Sequence, residues 1–122
     1  MLLYEVAKPV GLAQLEDVLA TAFAAMVGAL EEGEAVVVAV DDEDLQGIAG
    51  VAAAALAHGL LGLCRALAIE GRKEGWTIGM LSCAEGVAAE ERARWIEALG
   101  QPGAASGSLL RLGGAHLGRV PA

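Results

Sequence analysis

Asp41-Asp42-Glu43-Asp44 is the densest run of potential ligands in the chain. It follows the β-branched run Ala35 to Val40, which reads as a parallel strand buried on both faces. Ligands of open α/β sheets settle beside the carboxyl ends of such strands. Carboxylates crowded there could hold Mg²⁺ or Ca²⁺ through oxygen. Asp41, Asp42 and Asp44 are therefore the candidate residues of a ligand or cation loop. The run is not an EF-hand, because no bidentate Glu follows at the required distance. A solvated loop whose acids cap the next helix and complement its dipole explains the same residues more simply.

The other reactive side chains are scattered. His58 has a ring suited to proton transfer near neutral pH, but helix packing or an interface suits its apolar surroundings better. His116 lies in a Gly-rich tail and reads as a surface residue. Cys64 and Cys83 sit in apolar stretches without metal-ligand spacing, as buried thiols of a reducing cytoplasm would. Arg92 and Arg94 are expected in surface ion pairs with nearby acids, as is Arg65 with Glu70. Tyr4-Glu5-Val6-Ala7-Lys8 places a phenol and an amine four residues apart. That pairing works on a helix. Here Pro9 follows Lys8, and on a strand the two positions stand roughly 13 Å apart. No metal site and no cofactor are expected.

The elements that must position these residues follow from periodicity. Met1 to Val6 is a short apolar run fit for a strand, broken by Lys8-Pro9-Val10-Gly11. Leu12, Leu15, Val18, Leu19, Ala22, Phe23, Met26 and Leu30 recur at helical spacing. Gly33 is a natural left-handed cap for that helix. A second, long helix is expected over Leu45 to Glu70, with Gly47 and Gly50 unsettling its first turns. Its stretch from Val51 to Gly71 is apolar on nearly every side and must be covered on both. Trp76 to Leu81 reads as a strand. Ala88 to Leu99 reads as an amphipathic helix with Ala89, Ala93, Ile96 and Leu99 inward. Ser108 to Leu112 reads as a last strand, and residues 113–122 as a flexible Gly-rich tail. Strand and helix alternate throughout, which predicts a parallel sheet with right-handed crossovers.

Several of these segments resemble the second half of the short-chain dehydrogenase/reductase family, 3-ketoacyl carrier-protein reductases in particular. Gly59-Leu60-Leu61-Gly62-Leu63-Cys64-Arg65-Ala66-Leu67-Ala68-Ile69-Glu70 looks like the tail of the family's active-site helix. Glu34 to Val40 is similar to the strand that ends at the catalytic serine. Gly75 to Leu81 is similar to the strand after the helix, and Ala89 to Leu99 to the short helix before the last strand. Ala105-Ser106-Gly107-Ser108-Leu109-Leu110-Arg111-Leu112-Gly113-Gly114 resembles the closing Thr-Gly-x-x-Leu-x-x-x-Gly-Gly segment. The resemblance implies one α/β domain over residues 1–122, a truncated Rossmann-like parallel sheet of about four strands flanked by helices.

It also implies what is missing. The family's catalytic Tyr-x-x-x-Lys would fall on Ala53 and Ala57, which neither donate a proton nor carry charge. No Ser ends the strand at Val40-Asp41-Asp42, and the chain contains no Asn. The Gly-rich turn that receives a dinucleotide pyrophosphate is absent. Met1 to Val6 would correspond to a central strand with nothing on its outer side, leaving an edge to be shielded.

Composition sets the remaining bounds. The chain has 122 residues, enough for one domain. Apolar residues make up 56% and aromatic ones 3%. So much apolar surface on a small domain leaves a patch that marks an interface. A net charge of -8 argues against nucleic acid and anionic membranes as partners. Met1-Leu2-Leu3-Tyr4 does not read as a signal peptide. Ile48 to Ile69 is long enough to span a bilayer, but Arg65 and His58 lie inside it and Ala and Gly outnumber Leu.

The expected function is that of a non-catalytic, dehydrogenase-like protein acting through homo- or hetero-oligomerisation. The resemblance implies a homodimer or homotetramer through the two long helices, with Ala54, His58, Gly59, Gly62 and Arg65 at the interface. One alternative is an accessory subunit of an NAD(P)-dependent reductase whose full-length partner supplies the active site. Another is a small-molecule or cation binder at the acidic loop.

Overall fold

The computed structural model describes residues 1–6, 11–103 and 106–113. Four strands form one parallel sheet in the order of the chain: β1 (Leu2–Tyr4), β2 (Val36–Asp41), β3 (Ile78–Cys83) and β4 (Leu109–Leu112). The helices are α1 (Leu15–Glu31), α2 (Asp42–Gln46), α3 (Val51–Glu70) and α4 (Ala89–Leu99). A 3₁₀ turn, Leu12–Gln14, leads into α1. The chain is an α/β protein with a Rossmann-like parallel sheet flanked by helices.

Side-chain alternation divides the sheet into two faces. Val36, Val38, Ile78 and Met80 point to one face and pack with Ala22, Met26 and Leu30 of α1 and Leu56, Leu60 and Cys64 of α3. Val37, Leu81 and Leu112 point to the other and pack with Ile96 of α4. Val36 to Ala39 of β2 are thus buried on both faces, as their composition predicts, while Val40 at the carboxyl end is half-buried. Tyr4 lies on β1, so its phenol has strand geometry; Lys8 lies outside the described residues, as does His116.

Three findings depart from the expectation. First, the long helix from Leu45 is two helices. Gly47 and Gly50 take φ of +81° and +112°, conformations that L side chains avoid, and the chain turns there before α3 begins at Val51. Second, the crossovers do not share one hand. Each step from β1 to β4 moves the same way across the sheet, yet α1 and α3 cover one face and α4 the other. The β3–α4–β4 connection therefore has the opposite hand to the first two, against the strong preference for uniform right-handedness. Third, only Ile96 of the four inward positions expected on α4 is fully buried. Leu99 is half-buried, and Ala89 and Ala93 are exposed. Among the described residues no layer covers the small side chains at the start of α4.

By length and composition alone, the segments Leu12–Glu31 and Val51–Glu70 could each cross a membrane. In the fold both lie against the sheet, and Leu56, Ala57, Leu60, Leu61, Cys64 and Leu67 are spent on the core.

Candidate functional site

The carboxyl end of the sheet holds the charged side chains that the core admits. Register puts Val40, Ser82 and Arg111 in one row across β2, β3 and β4. Asp42, two residues beyond Val40, begins α2 at the end of that row. Its carboxylate accepts two bonds from Arg111, Nε to Oδ1 and Nη2 to Oδ2, each 2.7 Å. The Ser82 hydroxyl donates to Oδ1 at 2.7 Å, and the Gln46 amide, one helical turn along α2, donates to Oδ2. The Asp42 side chain is 3% exposed and that of Arg111 is 17%.

A bidentate guanidinium is the geometry that best repays the desolvation of a carboxylate. The hydrogen-bonded Arg111 guanidinium holds the Asp42 carboxyl below its ordinary range. Burial opposes this; Ser82, the charge of Arg111 and Gln46 reinforce it. The same bond raises Arg111 further above its usual value. Asp42 is therefore a structural anion, with its oxygens committed inside the chain. The expectation of a solvated acidic loop fails here. Asp42 and Asp44 are buried, while Asp41 and Glu43 are exposed. Among the described residues no three His, Cys, Asp or Glu side chains stand together as a metal site.

Beside this cluster is a cavity of about 190 Å³ between the ends of β1 and β2 and the first turns of α3. Val6, Val40, Ala53, Leu56, Ala57 and Leu60 line it, and Glu5, Asp41, Asp44 and Arg92 bring charge. Arg92 donates to Glu5 and ties α4 to the end of β1. Ala53 and Ala57, the two positions singled out in sequence, do face the same hollow. Among its described lining residues there is no hydroxyl, amine, imidazole or thiol. The hollow can enclose a small body. Among its described lining residues the proton-exchanging groups are the carboxylates of Glu5, Asp41 and Asp44.

His58 faces away from this cavity. Its Nε2 donates to the Leu45 carbonyl at 2.8 Å and so satisfies an acceptor at the end of α2. Gly59 is used inside the chain: a Cβ there would stand 3.0 Å from the Leu19 methyl carbons of α1. Gly62 has nothing within 4 Å and opens to solvent, and Ala54 and Arg65 are half-exposed. Cys64 is fully buried and its thiol is pushed up to about 12 by desolvation. Burial also raises Cys83, partly offset by Arg92.

Sequence reading missed Arg111, Ser82 and Gln46 as partners of Asp42. One signal was present. Arg111 is a lone cation among the leucines of β4, and a charge in a half-buried strand needs an opposite charge. No family model, no curated protein and no solved structure matches the chain.

Proposed function

We propose that this chain is a non-catalytic, short-chain dehydrogenase-like protein of the cytoplasm that works by association of copies through α1 and α3. The observation that carries the reading is the apolar surface those helices leave uncovered. On α1 the outward arc holds Ala20, Phe23 and Ala24, with half-buried Val27 at its border; on α3 it holds Val51, Ala55, Gly62, Ala66 and Ile69. Phe23 is 45% exposed, Val51 74% and Ile69 63%. Leu19 against Gly59 fixes α1 and α3 side by side, so the two arcs form one face. A contiguous apolar face of this kind marks a protein contact. Gly62 and Ala66 would let a second helix approach closely.

Ala53 and Ala57, which line the cavity where the resemblance would put a phenol and an amine, neither donate a proton nor carry charge, and this supports the non-catalytic part. The sequential parallel strand order agrees with the half-fold that the resemblance implies. Sedimentation of the purified chain tests the reading. The unmodified protein is expected above monomer mass, with Phe23→Glu and Gly62→Glu each lowering it while the circular dichroism spectrum is kept. Variants that leave the mass unchanged would end the proposal for this face. Turnover of a carbonyl substrate with NADH or NADPH by the purified chain would end it for the missing catalysis.

A further inference from the structure

We propose that the edge of β1 that no described strand covers joins the same edge of a second copy, giving a continuous eight-stranded sheet about a two-fold axis at Leu3. This contact is separate from the helix face and does not rest on it.

The strand itself is built for this. The Leu2 N–H donates to the Ala35 carbonyl at 2.8 Å, so Leu2 and Tyr4 turn their backbone toward β2. Alternation then turns the N–H and C=O of Leu3 outward. An antiparallel pairing centred on Leu3 satisfies both at once: each Leu3 N–H donates to the carbonyl of the partner's Leu3. The same register sets Leu2 against the partner's Tyr4 and Met1 against the partner's Glu5. Leu3, 37% exposed, would meet its own copy on one face of the sheet. The Met1 ammonium, paired with the exposed Glu34 of its own chain, would approach the partner's Glu5, an exposed carboxylate that also accepts from Arg92. No like charges fall opposite each other. The described part of the strand carries no Lys, Pro or bulge; its shortness is the one device against edge pairing that it has. Its three residues supply few bonds, so the contact also needs side chains.

α1 provides them. It packs on β1 and β2, whereas α3 packs on β2 and β3. The flank of α1 turned from α3 therefore borders the β1 edge. Leu19 marks the α3 side. At 100° per residue, Thr21, Ala25 and Gly28 fall on the opposite flank, and all three are exposed. These are small side chains without charge. They let the two copies of α1 lie close over the joined strands. Edge and flank together are self-complementary, as an isologous contact requires.

Proline at residue 3 is the sharpest probe. It removes an N–H that has no role in the β1–β2 ladder, and edge strands tolerate it there. In a Phe23→Glu background the chain is expected to remain a dimer by sedimentation equilibrium. Adding Leu3→Pro or Leu3→Lys should weaken that dimer about tenfold or more, from two lost hydrogen bonds or a buried charge. Amide exchange on the unsubstituted chain provides a readout that no folding defect can mimic. Leu3 N–H should be protected, and that protection should fade on dilution in step with dissociation. A Leu3 amide that exchanges freely while the mass stays above monomer overturns the proposal. So does an unchanged mass in both Leu3 variants, or a monomer at every concentration. If Phe23→Glu lowers the mass to monomer outright, the helix face stands and the edge contact falls. If only the Leu3 variants act, the reverse holds.

Discussion

At the scale of single residues the decisive group is Asp42. Its carboxylate is stabilised as an anion by Arg111, Ser82 and Gln46, and its folded pKa lies below the unfolded value. A depressed carboxyl pKa contributes stability above the unfolded pKa of about 4 and loses it as pH falls through the folded value. Urea titrations should therefore show stability declining below about pH 4. Asp42→Asn leaves the Arg111 charge facing a neutral amide and should cost about 3–5 kcal/mol at pH 7. Its acid decline should be shallower than that of the unsubstituted chain. Thiol chemistry gives a second residue-level test. With Cys64 buried and its pKa near 12, iodoacetamide at pH 8 should modify Cys83 first, and Cys64 only on unfolding. Mass spectrometry of the alkylated peptides reads this directly. The Asp42–Arg111 pair was not legible in sequence. The two residues are 69 apart, and only strand register brings them together.

At the scale of elements, the strands and helices were legible wherever periodicity was clean. Val36–Asp41 and Ala89–Leu99 match their expected runs within a residue or two. The break between α2 and α3 was half legible. Gly47 and Gly50 signalled it, but the apolar pattern ran through them, and periodicity alone does not distinguish a weak helix start from a turn. The end of α3 shows what a glycine can fix. Gly71 accepts the Trp76 N–H on its carbonyl at 3.1 Å, and a Cβ at Gly71 would stand 2.2 Å from the indole Cε3. The ring lies directly over the backbone, so the turn from α3 into β3 admits no side chain there. Gly71→Ala should cost about 1–3 kcal/mol through this overlap. The double variant Gly71→Ala/Trp76→Ala should be less destabilised than the sum of the singles, which thermal melts of the four proteins would show.

At the scale of the whole molecule, charge and apolar surface pull in opposite directions. Each chain carries -8, so copies repel, while the uncovered faces of α1 and α3 attract. Added salt screens the repulsion, with a Debye length near 8 Å at physiological ionic strength, and leaves the apolar contact in place. Association should tighten as NaCl rises from about 0.01 M to 0.15 M, over which the Debye length shrinks from about 30 Å. Sedimentation equilibrium at the two concentrations checks this. Weakening with salt would mean that ion pairs, not apolar surface, hold the copies together.

The lone α4 layer has a consequence for synthesis. Until α4 emerges, the sheet has helices on one face only, and Val37 and Leu81 look into water on the other. A growing polypeptide halted after Cys83 would hold three paired strands with one greasy side bare. The last third of the translated message therefore decides solubility. Premature stops in that region should yield inclusion bodies, while the untruncated product stays in the supernatant.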